Sequence, residues 1–263
     1  MDLFEYEDVA QSYEQWTDPS PKDMIDFHLE MAGKYGNGGI LDIACGTGVE
    51  ALPLLTAGYT ITALDLSEPM LKILKAKVAE LPENKRSRCE VVESDMRDFE
   101  LKNNYSLAFI TRGGFIHLTT SKDQRQTLLN VHRHLKPKGV LVFTTFDPNY
   151  EMIFSGLKGK PVEPFLRYTY TNSKGNQEKV YNLPVHDPAT QIVEVLWTWE
   201  ETNPKGEVVS KRDRLLRCRW TFRQETEYLL ELTGFKVLAL YGGFSKEAPV
   251  PGGKTNLWVC EKK

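Results

Sequence analysis

The chain has 263 residues, 41% of them hydrophobic and 26% charged, with a formal net charge of −3. At about 150 residues per domain, this bounds it to one large domain or one domain with a small companion, and it excludes disorder as the main state. With 19 glycines and 14 prolines, collagen-like and low-complexity classes are excluded too, and the slightly acidic balance gives no support to a nucleic-acid partner.

Met1-Asp2-Leu3-Phe4-Glu5 is acidic and lacks the apolar core of a signal peptide. Residues 1–35 read as amphipathic helices, broken at Asp18-Pro19-Ser20-Pro21, with Pro21 suited to the first turn of the second helix. From Gly39 the chain alternates strand and helix. Gly39 to Ala44 is an apolar strand, Val49 to Ala57 a helix closed by Gly58, and Thr60 to Leu64 a buried strand. Ser67 caps a helix over Met70 to Glu80, with Pro69 in its first turn. Glu90 to Glu93 and Ser106 to Thr111 are strands, Asp123 to Leu135 a helix, and Val140 to Phe146 the fifth strand after the turn Lys136 to Gly139. Continuous apolar strands in β-α-β alternation imply a mostly parallel sheet covered on both faces.

After Asp147 the pattern changes. Phe165 to Tyr170, Lys179 to Leu183, Gln191 to Thr198 and Glu207 to Arg219 follow one another as an aromatic-rich antiparallel meander. The helix Gln224 to Leu232 and the strands Phe235 to Tyr241 and Asn256 to Glu261 return to α/β. The expected organisation is N-terminal lid helices over 1–35, a Rossmann-like domain over 36–147 and 220–263, and a β cap inserted over 148–219. No apolar run approaches the about 20 residues needed to span a bilayer, so a cytoplasmic protein without a membrane partner is expected. Cys45, Cys89, Cys218 and Cys260 form no Cys-x-x-Cys pair, so neither a disulfide framework nor a metal site is expected.

Ile40-Leu41-Asp42-Ile43-Ala44-Cys45-Gly46-Thr47-Gly48 carries the chemistry. An apolar strand ends in a glycine turn that opens a helix, the place where an open parallel sheet binds ligands. Gly46 and Gly48 permit the tight turn and close approach of a ligand. Gly46-x-Gly48-x-x-Ala51 with Asp65 nineteen residues on formally fits a nicotinamide dinucleotide site. Asp42 favours S-adenosylmethionine instead. A lone carboxylate in an apolar strand is costly, it would repel a pyrophosphate, and an α-ammonium group would neutralise it.

With these residues the chain resembles the class I S-adenosylmethionine-dependent methyltransferases. Asp-x-x-x-Gly-x-Gly is similar to the family's first-strand motif. Leu64-Asp65-Leu66-Ser67-Glu68-Pro69-Met70-Leu71, Ser94-Asp95-Met96-Arg97-Asp98-Phe99 and Lys138 to Phe143 are similar to its second-, third- and fifth-strand segments. Ser106 departs from the acid that many relatives carry there. The resemblance implies a seven-stranded Rossmann-like sheet plus the antiparallel cap. It places Tyr13, Asp42, Ala44, Gly46, Gly48, Asp65, Leu66, Met70, Asp95, Met96, Thr111 and Arg112 at the cofactor. Asp65 would hold the ribose hydroxyls, Asp95 the adenine amine, and Met70 would pack near the adenine. The competing structural roles are a helix N-cap for Asp65, a turn for Asp95, core packing for Met70 and a mere small residue for Cys45.

Thr111-Arg112-Gly113-Gly114-Phe115-Ile116-His117-Leu118 resembles the segment after the fourth strand in small-molecule methyltransferases, including sugar N-methyltransferases. That implies His117 as a catalytic base or acceptor hydrogen-bond partner. Its alternative is a histidine satisfied by a backbone carbonyl. Val9 to Trp16 looks like a lid helix whose Tyr13 closes over the cofactor or the acceptor. His132 and His134 are explained by a helix C-terminus and solvent. Arg212, Arg214, Arg217 and Arg219 read as a solvated sheet edge, unless one pair faces the pocket and meets an anionic acceptor such as a nucleotide-linked sugar. The expected function is methylation of a small molecule, at nitrogen, in a homodimer paired through the cap. Methylation of tRNA or another macromolecule, a non-catalytic cofactor-binding subunit and a dehydrogenase stand as alternatives.

Overall fold

The computed structural model describes residue 10, residues 13–16 and residues 22–263. The expected break at residues 18–21 and most of the first helix lie outside the described residues. Two helices precede the sheet, α1 (Tyr13–Trp16) and α2 (Lys22–Tyr35). Then come β1 (Ile40–Ile43), α3 (Ala51–Thr56), β2 (Ile61–Asp65), α4 (Glu68–Ala79), α5 (Glu83–Arg86), β3 (Cys89–Glu93) and β4 (Tyr105–Ile110). A 3-10 turn (Gly114–His117), α6 (Ser121–His134), β5 (Leu135–Pro148) and α7 (Tyr150–Ser155) lead to β6 (Phe165–Thr171), β7 (Gln177–Asp187), β8 (Ile192–Thr202) and β9 (Val208–Arg219). The chain closes with α8 (Arg223–Leu232), β10 (Phe235–Tyr241) and β11 (Gly253–Lys262).

Seven strands form one sheet in the order β10-β11-β5-β4-β1-β2-β3. β1 pairs in parallel with both β2 and β4, whereas β11 runs antiparallel between β5 and β10. This is the Rossmann-like architecture expected from the alternation. The strand order reverses at β1: β2 and β3 follow on one side, and the chain then crosses back to place β4 on the other, which opens a crevice at the carboxyl ends. All four residues of β1 are buried, because both faces are covered. On one face Ile40, Ile61, Ala63 and Phe109 pack against Phe27 of α2, Leu54 of α3 and Leu74 of α4. On the other, Leu41, Ile43, Leu64 and Phe143 pack with Leu128 of α6 and Leu230 of α8. By alternation Asp42 shares the first face with Ile40.

β6 to β9 form a separate four-stranded antiparallel sheet in sequence order. It is anchored on the large sheet through Ile153, Val193, Cys218 and Trp220, against which Ile116 of the 3-10 turn packs. The caps act locally. Ser67 accepts from the Met70 amide at 3.5 Å, and Thr120 accepts from the Asp123 amide at 3.0 Å, so α6 starts two residues before the expected Asp123. The strands of the small sheet run longer than their alternating cores because register pairing carries them through polar residues to the turns. His134 departs from its solvent reading. It is buried, accepts from the Leu101 amide at 3.1 Å and sets its ring tilted against Phe99, centroids 4.6 Å apart. Among the described residues, no helix is long and apolar enough to cross a membrane.

Candidate active site

The loop leaving β1 departs from ordinary backbone geometry at three residues. Ala44, Gly46 and Gly48 have φ of 57°, 53° and 83°. The two glycines answer to different demands. A Cβ on Gly46 would meet nothing within 4 Å, whereas one on Gly48 would overlap Leu74 of α4. Gly46 therefore keeps space open beside the loop, and Gly48 lets the loop lie on α4. Asp65, at the end of β2, ties this loop down. Its carboxylate accepts from the Gly46 amide at 2.8 Å and from the Ser67 amide at 2.9 Å. Ser67, not Asp65, is the N-cap of α4. Two amides still leave the carboxylate with lone pairs for hydroxyl donors.

A cavity of about 440 Å³ opens at the carboxyl ends of β1, β2 and β3. Tyr13, Ala44, Gly46, Asp65, Leu66 and Met70 line it, as do Asp95, Met96, Arg112 and His117. Asp42, Gly48 and Thr111 lie behind this wall instead of in it. Glu50, Thr47 and Ser94 line the cavity and escaped the sequence reading. Leu66 is 64% exposed, an apolar side chain offered to a ligand, while Met70 is buried and serves the core as well. Cys45 also lines the cavity, and burial pushes its thiol well up, so it stays protonated.

Carboxylates gather at one end of the cavity, Glu50 and Asp65 in its wall and Asp42 buried behind it. Asp42 is fully buried, and its Oδ2 has no hydrogen-bond partner. Burial first, and then Glu50 and Asp65, raise its pKa well above the usual carboxylate value. Glu50 is 6% exposed and is raised by burial, opposed by Arg112. Its Oε1 lies 3.8 Å from Arg112 Nε and 3.3 Å from Thr111 Oγ1, within hydrogen-bond distance. A floor of this kind suits a positively charged group, because an uncompensated buried carboxylate is costly and a bound cation removes that cost. Tyr13 faces the same guanidinium. Burial raises its phenol pKa, and Arg112, through charge and a hydrogen bond, opposes that. Glu14, one residue on, ties α1 down by accepting from Thr47 Oγ1 and Lys77 Nζ.

At the opposite end, Asp95 is held by Arg97. The Arg97 Nε lies 2.9 Å from both carboxylate oxygens and the Arg97 amide 2.8 Å from Oδ1, which lowers the Asp95 pKa. The turn role is therefore real, and a ligand amine would share this carboxylate with Arg97.

His117 ends the 3-10 turn, where burial alone lowers its pKa to about 4. Its ring is neutral near pH 7. The small sheet presents its aromatic face on this side. Trp197 and Trp199 stack at 5.7 Å, and Tyr13 packs against them together with Val180. In register, Arg212 faces Trp199 and Arg214 faces Trp197, so this pair lies on the aromatic face. Arg212 also pairs with buried Glu178 at 3.0 Å. Arg219 pairs with Glu225 at 2.6 Å and is 12% exposed. The solvated-edge expectation thus holds for Arg217, 56% exposed beside Glu194, and fails for Arg212 and Arg219, whose charges are paired and partly buried.

Residues 40–139 match the family model described as a methyltransferase domain. Over 98% of this chain and 99% of its own length, a candidate methyltransferase of Geobacillus sp. (strain WCH70) is 26% identical. A glycine/sarcosine N-methyltransferase of Halorhodospira halochloris is 32% identical over 48% of this chain and 46% of its own. The CcbJ methyltransferase from Streptomyces caelestis superimposes with a TM-score of 0.78 at 18% identity, covering 97% of this chain and 96% of the other.

Proposed function

Since the chain belongs to the class I S-adenosylmethionine-dependent methyltransferases, we propose that it methylates an amine nitrogen of a small molecule held between the cofactor cavity and the aromatic face of the four-stranded sheet. The bound cofactor supplies an electrophilic methyl group on a positively charged sulfur. Glu50 holds its ammonium end with Asp42 buried behind the wall, Asp65 the ribose hydroxyls, and Asp95 with the Met96 amide the adenine edge. Leu66 and Met70 pack against the ring. The unpartnered Oδ2 of Asp42 supports this orientation, because a buried carboxyl without a partner behind the Glu50 end of the cavity favours positive charge there.

The acceptor side rests chiefly on one observation. Tyr13 belongs at once to the cavity wall and to the Trp197–Trp199 cluster, so the two surfaces are continuous. Displacement at a methyl group needs alignment of nucleophile, carbon and leaving sulfur, which rigid aromatic walls and fixed hydrogen bonds provide. His117, neutral because of burial, accepts a hydrogen bond from an amine N–H and aims the lone pair. With a pKa of about 4 it is too weak to strip a proton from an alkylammonium, so the amine enters as the free base. Tyr13, with its phenol pKa raised, stays protonated, and its hydroxyl oxygen accepts a second N–H from the other side. Arg212 and Arg214 on the aromatic face favour an acceptor that also carries an anionic group, such as a nucleotide-linked amino sugar. The N-methyltransferase of Halorhodospira halochloris supports nitrogen as the target. Phe165 and Leu166, exposed on the edge strand β6, support pairing of two copies through this sheet.

A labelled-methyl transfer screen of the purified protein over amine, hydroxyl and carboxylate metabolites tests the reading. Label should reach primary or secondary amines. Transfer confined to carboxylates or hydroxyls, to RNA, or to nothing would overturn it.

A further inference from the structure

His28 has no part in the reaction described so far, yet it is 2% exposed and lies behind the carboxylate floor. It projects from α2 into a ring of Phe27, Phe109 and Phe244, with centroids 6.1, 4.6 and 5.5 Å away. Its Nδ1 lies 2.7 Å from the Met24 carbonyl, an acceptor, so Nδ1 carries a proton. In a neutral ring Nε2 then has none and must accept. Its partner is Thr111 Oγ1 at 3.2 Å, which also lies 3.3 Å from Glu50 Oε1. One hydroxyl proton thus serves two acceptors. As a carboxylate, Glu50 leaves the chain His28–Thr111–Glu50 one proton short. As a carboxylic acid it donates to Thr111, Thr111 donates to His28, and every contact is satisfied.

The other charges around this chain are compatible with that count. Arg112 Nε stands 3.8 Å from Glu50, well beyond the roughly 2.8 Å of a charge-assisted hydrogen bond, so it does not lock the carboxylate form. Asp65 from β2 adds negative charge beside Glu50, Asp42 from β1 is a buried carboxyl whose ionisation is itself disfavoured, and the Tyr13 hydroxyl from α1 is neutral. Burial first, and then the Arg112 charge, disfavour an imidazolium at His28, so the extra proton sits on the glutamate.

We infer that Glu50 is a carboxylic acid in the free protein, held so by Thr111 and His28, and that the cofactor's ammonium group expels this proton to solvent on binding. His28 is thus a positioning residue that acts through Thr111. The count of hydrogen bonds carries the first half. The second rests on the cofactor orientation proposed above.

Calorimetry of S-adenosylhomocysteine binding to the full chain, in two buffers of unlike ionisation heat at one pH, reads the released proton. Wild type should release close to one proton per ligand, fading as pH rises through the titration of Glu50. Glu50→Gln should release none. His28→Phe, which fits the aromatic ring and frees Thr111 to donate to a carboxylate, should release much less. Binding without proton release, or release that survives Glu50→Gln, overturns the inference and leaves the cofactor site standing. A lack of binding by wild type sinks both. If a variant does not fold, difference infrared spectra of wild type decide: a protonated-carboxyl band must disappear when the ligand is added, and its absence from the free protein refutes the inference.

Discussion

The two surfaces that meet at Tyr13 are built by different means. The proposed cofactor end of the large sheet is made by backbone: left-handed residues at 44, 46 and 48, amides held by Asp65, and buried carboxylates under the loop. The face of the small sheet is made by side chains: stacked tryptophans and paired arginines on long strands. A backbone-built site tolerates little change, because each residue meets a conformational demand. A side-chain-built face can vary without disturbing the fold. This difference suits an enzyme that keeps one cofactor and specialises its acceptor.

Substitutions can separate the two surfaces. Asp65→Ala removes a hydroxyl acceptor and frees the Gly46 and Ser67 amides. S-adenosylhomocysteine affinity, read by calorimetry, should fall at least about 100-fold, or ~3 kcal/mol. Asp42→Asn should weaken the same affinity by roughly 30-fold, yet raise the melting temperature of the free protein by a few degrees, since it removes a carboxyl that is costly to ionise inside the fold. The sign follows from linkage. The Asp42 pKa is raised on folding, so stability in the free protein is lost as pH rises through that raised value, and the asparagine variant loses this slope. A melting temperature that falls would show that Asp42 is structurally paired.

On the acceptor side, His117→Ala should lower turnover about tenfold while cofactor affinity stays within about twofold, as fits one lost orienting hydrogen bond. Equal losses in both would move His117 into the cofactor site. Arg214→Ala should raise the KM for an anionic acceptor about threefold and leave S-adenosylhomocysteine binding unchanged, the scale of a partly exposed ionic contact. The smallest effect is on acid stability. His28 and His117 both titrate near 4 in the fold against 6.5 as the ordinary value. Their contribution is complete above the ordinary value and is lost as pH falls toward about 4. Thermal melts of the His117→Ala protein should therefore show a shallower loss over that window than wild type.

The same contrast governed what could be read from the sequence. The glycine turn, Asp42 and Asp65 were legible because each meets a local demand: a positive φ, a charge in an apolar strand, a carboxylate at a strand end. Ser67 and Pro69 likewise announced the start of α4. Glu50 was not legible. It sits in an unremarkable turn, and its place in the site comes from Thr111, 61 residues away in sequence. His28 reaches Thr111 across 83 residues, and no periodicity marks it. The meander was legible as strands, but not which arginines faced Trp197 and Trp199, since that depends on a register fixed only by pairing. Short helices such as α5 and α7 carry too few residues for a periodic signal.

Hydrogen exchange with and without S-adenosylhomocysteine tests the division most directly. Protection should appear in residues 42–50, 65–70 and 94–97 and leave 192–219 unchanged. Protection centred on 192–219, with none in the glycine loop, would contradict it.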